Sequence, residues 1–188
     1  MAEELAVVKR DREDLSNGTL PRPRCHEEGC TRRPQRRGTR KRIEVRDALG
    51  TRLEPLPIPR YKCPNHGWIP WLPSFLLPFV RTVAPVVEEV LGKYVDGCSA
   101  SEAVRGLQLD EAHVRRWVSK LAAPGREAWA ERMLDALRPA RAAPEERPAA
   151  ARPHLWRVLH TLRRLAAAFE ERGIAVGSPL RLLWSRSS

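Results

Sequence analysis

Cys25, Cys30, Cys63 and His66 form a set of side chains suited to binding one metal ion. They fall into two short pairs, Cys25-x4-Cys30 and Cys63-x2-His66, separated by a segment long enough for a small β-sheet. A structural zinc ion takes four Cys or His ligands in a tetrahedron, so each pair must sit on one tight knuckle. Cys63-Pro64-Asn65-His66-Gly67 has that form, because Gly67 can take the positive φ that turns the backbone away from a metal. The first pair is looser than the commonest spacing but within range. His26 is left out of the set, since adjacent residues cannot easily share one tetrahedron.

Cysteines in a secreted chain could instead form disulfides. Against this, Met1-Ala2-Glu3-Glu4 is acidic and no apolar run of signal-peptide form comes after it. The most apolar stretch, 68–87, is interrupted by Pro70, Pro73, Pro78 and Pro85, so a membrane span is not expected. The reading is cytoplasmic, where thiol pairs are more often metal ligands than bridges. Cys98 has no partner nearby and is expected to be a small buried side chain.

The 188 residues can hold one medium domain or two small ones. A formal net charge of +11 favours a polyanionic partner, with nucleic acid the leading class. Arginine abundance beside Ala and Pro also follows from G+C-rich coding, so placement matters more than total charge. The densest basic run is Arg32-Arg33-Pro34-Gln35-Arg36-Arg37-Gly38-Thr39-Arg40-Lys41-Arg42, between the two ligand pairs. A solvated loop or a basic linker would satisfy composition. Anchored at both ends by knuckles, the run instead suits phosphate contact through Arg36, Arg37, Arg40 and Lys41.

Periodicity gives the strands and helices around these groups. Residues 1–20 have no clear period and read as a mobile lead-in. Lys41-Arg42-Ile43-Glu44-Val45-Arg46 alternates as a half-buried strand should, Asp47-Ala48-Leu49-Gly50 reads as a turn, and 52–60 alternates again. Pro55, Pro57 and Pro59 confine that second strand to a sheet edge. So small a sheet is not expected to bury a core of its own, which is where the metal would be needed. Residues 68–79 are expected to pack the ribbon against the next domain rather than to anchor a membrane or partner. Residues 21–80 thus read as ribbon plus a Pro/Trp-rich connector.

Residues 81–122 read as helices. Val87, Val90, Leu91 and Tyr94 share one face, Gly97 suits a left-handed cap, and Ser99 or Ser101 caps a short helix over 101–107. Asp110 caps a third helix, in which Val114, Trp117, Val118 and Leu121 make the buried stripe. This order is that of a helix-turn-helix, whose last helix enters the DNA major groove. His113, Arg115, Arg116 and Ser119 would face the DNA, the arginines donating to guanine or clamping phosphates. An ordinary three-helix cluster with a basic surface is the competing reading. The third segment, 123–188, holds a helix over 126–137, a Pro/Ala-rich linker over 139–153 expected to be extended and mobile, and an amphipathic helix over 154–172.

Catalytic templates are missing. There is no Gly-rich phosphate loop, nucleophile elbow or His-Glu-x-x-His, and no α/β core to gather carboxylates for strand transfer. A non-enzymatic protein is expected. The fold class expected is α+β, mostly α: a small N-terminal ribbon, a helix-turn-helix, and C-terminal helices.

The phrase Pro59-Arg60-Tyr61-Lys62-Cys63-Pro64-Asn65-His66-Gly67, followed by Leu72-Pro73-Ser74-Phe75-Leu76-Leu77-Pro78, resembles a bacterial family of uncharacterised proteins with a transposase-like zinc ribbon. Its members carry a cysteine pair, a basic hairpin, a Cys-x2-Cys knuckle, a Leu-Pro-x-Phe-Leu-x-Pro stretch and then a helix-turn-helix. The resemblance covers roughly 25–121. It implies Cys25, Cys30 and Cys63 as ligands of a structural Zn2+, with His66 where the family has a second cysteine. It further implies double-stranded DNA as partner and an origin in mobile elements. The alternatives are an adaptor that docks onto a separately encoded transposase catalytic subunit, and a stand-alone transcriptional regulator.

Overall fold

The computed structural model describes residues 12–15, 17–19, 22–25, 27, 29–42, 44–47, 51–69, 71–73, 75–78, 80–137, 146–173, 176 and 178–184. The fold is α+β: a three-stranded antiparallel sheet near the N-terminus, then helices. The chain divides into two compact units, one of 1–47 with 51–83, the other of 48–50 with 84–188. Residues expected to form two segments, 81–122 and 123–188, fall almost wholly within the second unit. Among the described residues, no helix is long and apolar enough to cross a membrane.

In the first unit the strands are β1 (Gln35–Arg42), β2 (Leu56–Cys63) and β3 (Gly67–Ile69), in spatial order β1-β2-β3. The first strand lies earlier than its alternation suggested. It is the basic run itself, and the chain leaves the strand after Arg42: Glu44 has φ 62° and Val45 turns fully inward. A residue at positive φ does not continue a ladder, so the alternating pattern outlasts the strand, which keeps Lys41 and Arg42 and not Glu44. The second strand starts at Leu56 rather than Arg52, although Arg46 and Arg52 do meet in an isolated bridge. Asp47 closes that loop, its backbone N–H donating to Thr51 O (3.1 Å) and its carboxylate accepting from the Thr51 N–H (2.9 Å). The expected turn residues Ala48, Leu49 and Gly50 lie outside the described residues, as does Ile43.

Pro57 and Pro59 are tolerated in β2 for a topological reason. Among the described residues, β3 pairs only with Tyr61, Lys62 and Cys63, so the proline half of β2 is an edge on that side. Where β1 crosses it, Arg37 and Gly38 together oppose Arg60, a bulge that Gly38 permits at φ 81°.

The unit has more core than the short sheet promised. Val45, Leu53, Leu56, Ile58, Leu72, Phe75, Leu76, Leu77, Val80 and Val83 are all buried. The stretch after the knuckle therefore fills the first unit's own interior. Half-buried Arg42 ties the two parts together, donating to the carbonyls of Leu77 (2.7 Å) and Val80. Burial lowers its pKa, and nearby Arg40 lowers it further. Nor is all of 1–20 a featureless lead-in: 12–15 are helical, Leu15 is buried, and the Thr19 hydroxyl bonds the Asp14 carboxylate at 2.8 Å. The remainder of that lead-in, 1–11, 16 and 20, lies outside the described residues.

The second unit contains α1 (Ala84–Val95), α2 (Ala100–Ala103), α3 (Glu111–Leu121), α4 (Arg126–Leu137), α5 (Pro153–Glu170) and α6 (Arg181–Trp184). α1 buries Val86, Val87, Val90, Leu91 and Val95, and α3 buries Val114, Trp117 and Leu121. α5 contributes Leu155, Val158, Leu159, Leu162 and Leu165. α3 packs against α1, α2 and α5, and α4 packs along α5 through Leu134, with Trp129 and Met133 at its margin.

Ser99 caps α2 with a full capping box, and the helix stops at Ala103, four residues short of Leu107. Val104 is its C-cap, and Gly106, at φ 79°, lies in the turn that follows, within the stretch expected to be helical. Cys98 is exposed, not buried. It sits between the end of α1 and the Ser99 cap, and its carbonyl accepts from Arg152 at 3.1 Å.

That arginine also corrects the linker. Residues 139–145 lie outside the described residues, but 150–152 are docked. The Arg152 guanidinium lies 3.9 Å over the Tyr94 ring and donates to the Tyr94 carbonyl, while its N–H donates to Val95 O at 2.8 Å. Arg152 thereby adds donors for C-terminal carbonyls of α1, that of Tyr94 also accepting from the Gly97 N–H at 3.3 Å. Gly97, at φ 117°, makes the close approach possible, since a Cβ there would meet Ala150 O at 2.6 Å.

Candidate metal centre

Cys25 and Cys30 bracket a tight loop in which Gly29 takes φ 75° and the Cys30 N–H donates to Glu27 O at 3.2 Å. Cys63 ends β2 and Gly67, at φ 80°, begins β3, so 64–66 form the hairpin turn that presents His66. The glycine expected to turn the second knuckle does so. Gly29 does the same work in the first knuckle, and its place directly before Cys30 was the signal for it.

The four ligand atoms all lie within 4.8 Å of one another. Cys30 Sγ and Cys63 Sγ are 3.8 Å apart, Cys25 Sγ and His66 Nδ1 3.3 Å, and Cys63 Sγ and His66 Nδ1 3.7 Å. A tetrahedron with Zn–S of ~2.3 Å and Zn–N of ~2.0 Å has S···S edges of ~3.8 Å and S···N edges of ~3.5 Å. The donor set fits. All four cysteines are free thiols, and no disulfide forms. These side chains make a cluster that could hold a metal ion such as zinc. His26 lies outside the described residues.

The electrostatics suit a cation. Burial opposes ionisation of Cys63, yet the N–H groups of Asn65 and His66 and the Cys25 and Cys30 thiols bring its pKa down to about 6. The Glu27 N–H favours the Cys25 thiolate, but burial and the Cys63 and Cys30 thiols push that group up. One sulfur is thus ready as thiolate near neutral pH, the form a metal takes. Around them Tyr61 and Ile69 are buried, and Trp71 meets Tyr61 edge-on at 5.5 Å.

Of the other residues singled out, Arg36, Arg37, Arg40 and Lys41 all lie on β1, whose residues are exposed up to Arg42. Arg37 donates to Gln35 at 2.7 Å. On α3, Arg115 and Arg116 are exposed, with Arg115 paired to Glu111 at 3.4 Å. Ser119 is exposed, but its hydroxyl donates back to Arg116 O at 2.8 Å. His113 is half-buried. Its backbone N–H donates to the Asp110 carboxylate at 3.0 Å and its Nδ1 accepts from the Asp110 N–H at 3.5 Å, which completes a capping box; Nδ1 also lies 2.7 Å from that carboxylate, and the ring meets Trp117 edge-on at 5.9 Å. The His113 ring and N–H in turn lower the Asp110 pKa. The structure gathers the metal quartet into one place, while β1 and α3 belong to different units.

Among known proteins, no family model matches this chain, and no curated protein or solved structure matches it either. The resemblance to transposase-like zinc ribbons therefore rests on the motifs quoted for it.

Proposed function

We propose that this is a non-catalytic, zinc-dependent DNA-binding protein. The observation that carries the reading is β1, an exposed strand of arginine and lysine whose sheet ends in the Cys63–His66 half of the ligand cluster. Zinc in that cluster would take Cys25, Cys30, Cys63 and His66 as ligands and supply a fixed scaffold, with no open coordination position for hydrolysis. Arg36, Arg37, Arg40 and Lys41 then grip phosphates without reading sequence. α3, capped by Asp110 and packed on α1 and α2, is the reading helix, with Arg115 and Arg116 toward bases and His113 and Ser119 flanking them. Cysteines that serve as metal ligands rather than disulfides fit a reducing, cytoplasmic setting. An origin in mobile elements is supported by the Pro59–Gly67 phrase and the Leu-Pro stretch after it.

The adaptor reading needs the 68–79 stretch to be available to a transposase subunit. Burial of Leu72, Phe75, Leu76 and Leu77 takes most of that surface away. A stand-alone regulator needs the same DNA contacts as the main reading.

A gel-shift titration across salt concentrations tests the proposal. Replacing Arg36, Arg37 and Arg40 with Ala should flatten the salt slope by about three phosphate equivalents. Replacing Arg115 and Arg116 with Ala should weaken duplex binding at every salt concentration. Affinity for duplex no better than for heparin, and unmoved by both sets of substitutions, would contradict it.

A further inference from the structure

Trp68 is the one large apolar side chain exposed among the described residues, at 49%. It pairs across β3 and β2 with Lys62, and Lys62 pairs across to Gln35 on β1, so the three form one row over the sheet. Neighbours in an antiparallel row point to the same side. Arg60, two residues before Lys62, lays its guanidinium 4.0 Å from the centre of the Trp68 ring.

An open hollow of about 230 Å3 beside that indole is lined by Arg40, Pro59, Arg60, Trp68, Ile69 and Trp71. A second, of about 270 Å3, is lined by Gln35, Arg37, Lys62 and Pro64. The bulge at Arg37 and Gly38 sets Arg37 opposite Arg60, beside the row. A cationic track thus crosses the sheet and ends against a half-exposed indole already stacked with a guanidinium. No carboxylate lines either hollow.

A duplex presents phosphates but hides the faces of its bases. An exposed tryptophan in a cationic groove offers what a single strand uses: a flat ring for a splayed base and charges that track the backbone. Arginine stacked on an aromatic extends that flat surface and adds cation–π attraction. We infer that this face of the sheet binds an unpaired nucleotide, with the base stacked on the Trp68–Arg60 pair in the hollow next to Arg40, and flanking phosphates on Arg37 and Lys62. The inference rests on the nucleic-acid reading above and deepens it. The ribbon becomes a site for melted or single-stranded ends, besides a grip on duplex.

The test is fluorescence anisotropy with zinc-loaded full-length protein and three labelled probes of equal length: oligo(dT), oligo(rU) and a mixed-sequence duplex. Trp68→Ala should weaken oligo(dT) or oligo(rU) binding by roughly tenfold or more, the size of one missing base stack. Duplex binding should change less than about twofold, because phosphate contacts are untouched. Trp68→Phe keeps a flat ring and should restore most of the affinity, whereas a merely structural role for the indole would leave both variants alike. Dependence on Trp68 in either single strand supports the site, and the better-bound polymer identifies the sugar.

Single-strand binding unmoved by Trp68→Ala, while duplex still binds, would overturn this inference and leave the proposed function standing. Equal losses for single strand and duplex would overturn it too. So would polyglutamate displacing oligo(dT) as well as unlabelled oligo(dT) does, which would make the site a general anion surface. Failure of all three probes to bind would sink the proposed function together with the inference.

Discussion

Removing zinc with a chelator is expected to unfold the knuckle end of the first unit while the second unit stays folded. The apolar cluster around the ligands is small: Tyr61, Cys63 and Ile69 buried, with Trp71 at its margin. Large side chains contribute about 1.5–3 kcal/mol each when fully buried. Fixing the backbone of 22–36, which holds the first knuckle and the start of β1, opposes folding by about 1–2 kcal/mol per residue. Structural zinc binding, about 10–16 kcal/mol at neutral pH, is of the size of that shortfall. The second unit needs no such help, since α1, α3 and α5 bury Val87, Val90, Leu91, Trp117, Leu121 and Leu162. Amide hydrogen exchange reads both at once. Protection at Tyr61, Cys63 and Ile69 should vanish on chelation, and in Cys63→Ser, while protection in α3 and α5 persists. Unchanged protection at 61–69 in zinc-free protein would contradict the account.

The second large effect is expected at Trp117. Its side chain is 3% exposed, and α3 packs through it and its neighbours onto α1, α2 and α5. Truncation to Ala should destabilise by about 3–5 kcal/mol, through the apolar area no longer buried and the cavity left behind. That is a large share of the roughly 5–15 kcal/mol that a domain has in total. Thermal melting of Trp117→Ala should therefore show a depressed or absent transition for the helical unit, and Trp117→Phe a smaller drop. A melting curve little changed by Trp117→Ala would mean that the indole faces solvent and serves as a base-stacking group instead.

What the sequence made legible was what local chemistry dictates. The ligand quartet could be read because tetrahedral coordination demands paired residues on knuckles, and Gly67 marks one of them. α1, α3 and α5 could be read because their apolar residues recur at helical spacing, and Asp110 because a cap lies directly before its helix. Less visible were features set by contacts distant in sequence. β1 has no apolar face, so no alternation marks Gln35–Arg42 as a strand; its pairing with β2 makes it one. β3 is only three residues long and owes its place to the knuckle turn. Trp68 read as part of an apolar connector, and only the register of β2 with β3 puts it on the open face beside Arg60. The docking of 150–152 depends on Arg152 finding the Tyr94 ring, which no linker composition announces.

Under the proposed function the ribbon would grip the DNA backbone while α3 would read sequence. Selection from a randomised duplex pool, carried out with zinc-loaded protein, with chelated protein and with Arg115→Ala, tests it most directly. Chelation should weaken binding broadly and leave the selected sequence in place, because phosphate contacts carry no sequence information. Arg115→Ala should weaken binding to the preferred sequence, relaxing preference by about 1–3 kcal/mol for each base no longer read, and leave binding to other duplexes largely unchanged. A preferred sequence that disappears on chelation and survives Arg115→Ala would contradict this division and make the ribbon the reader.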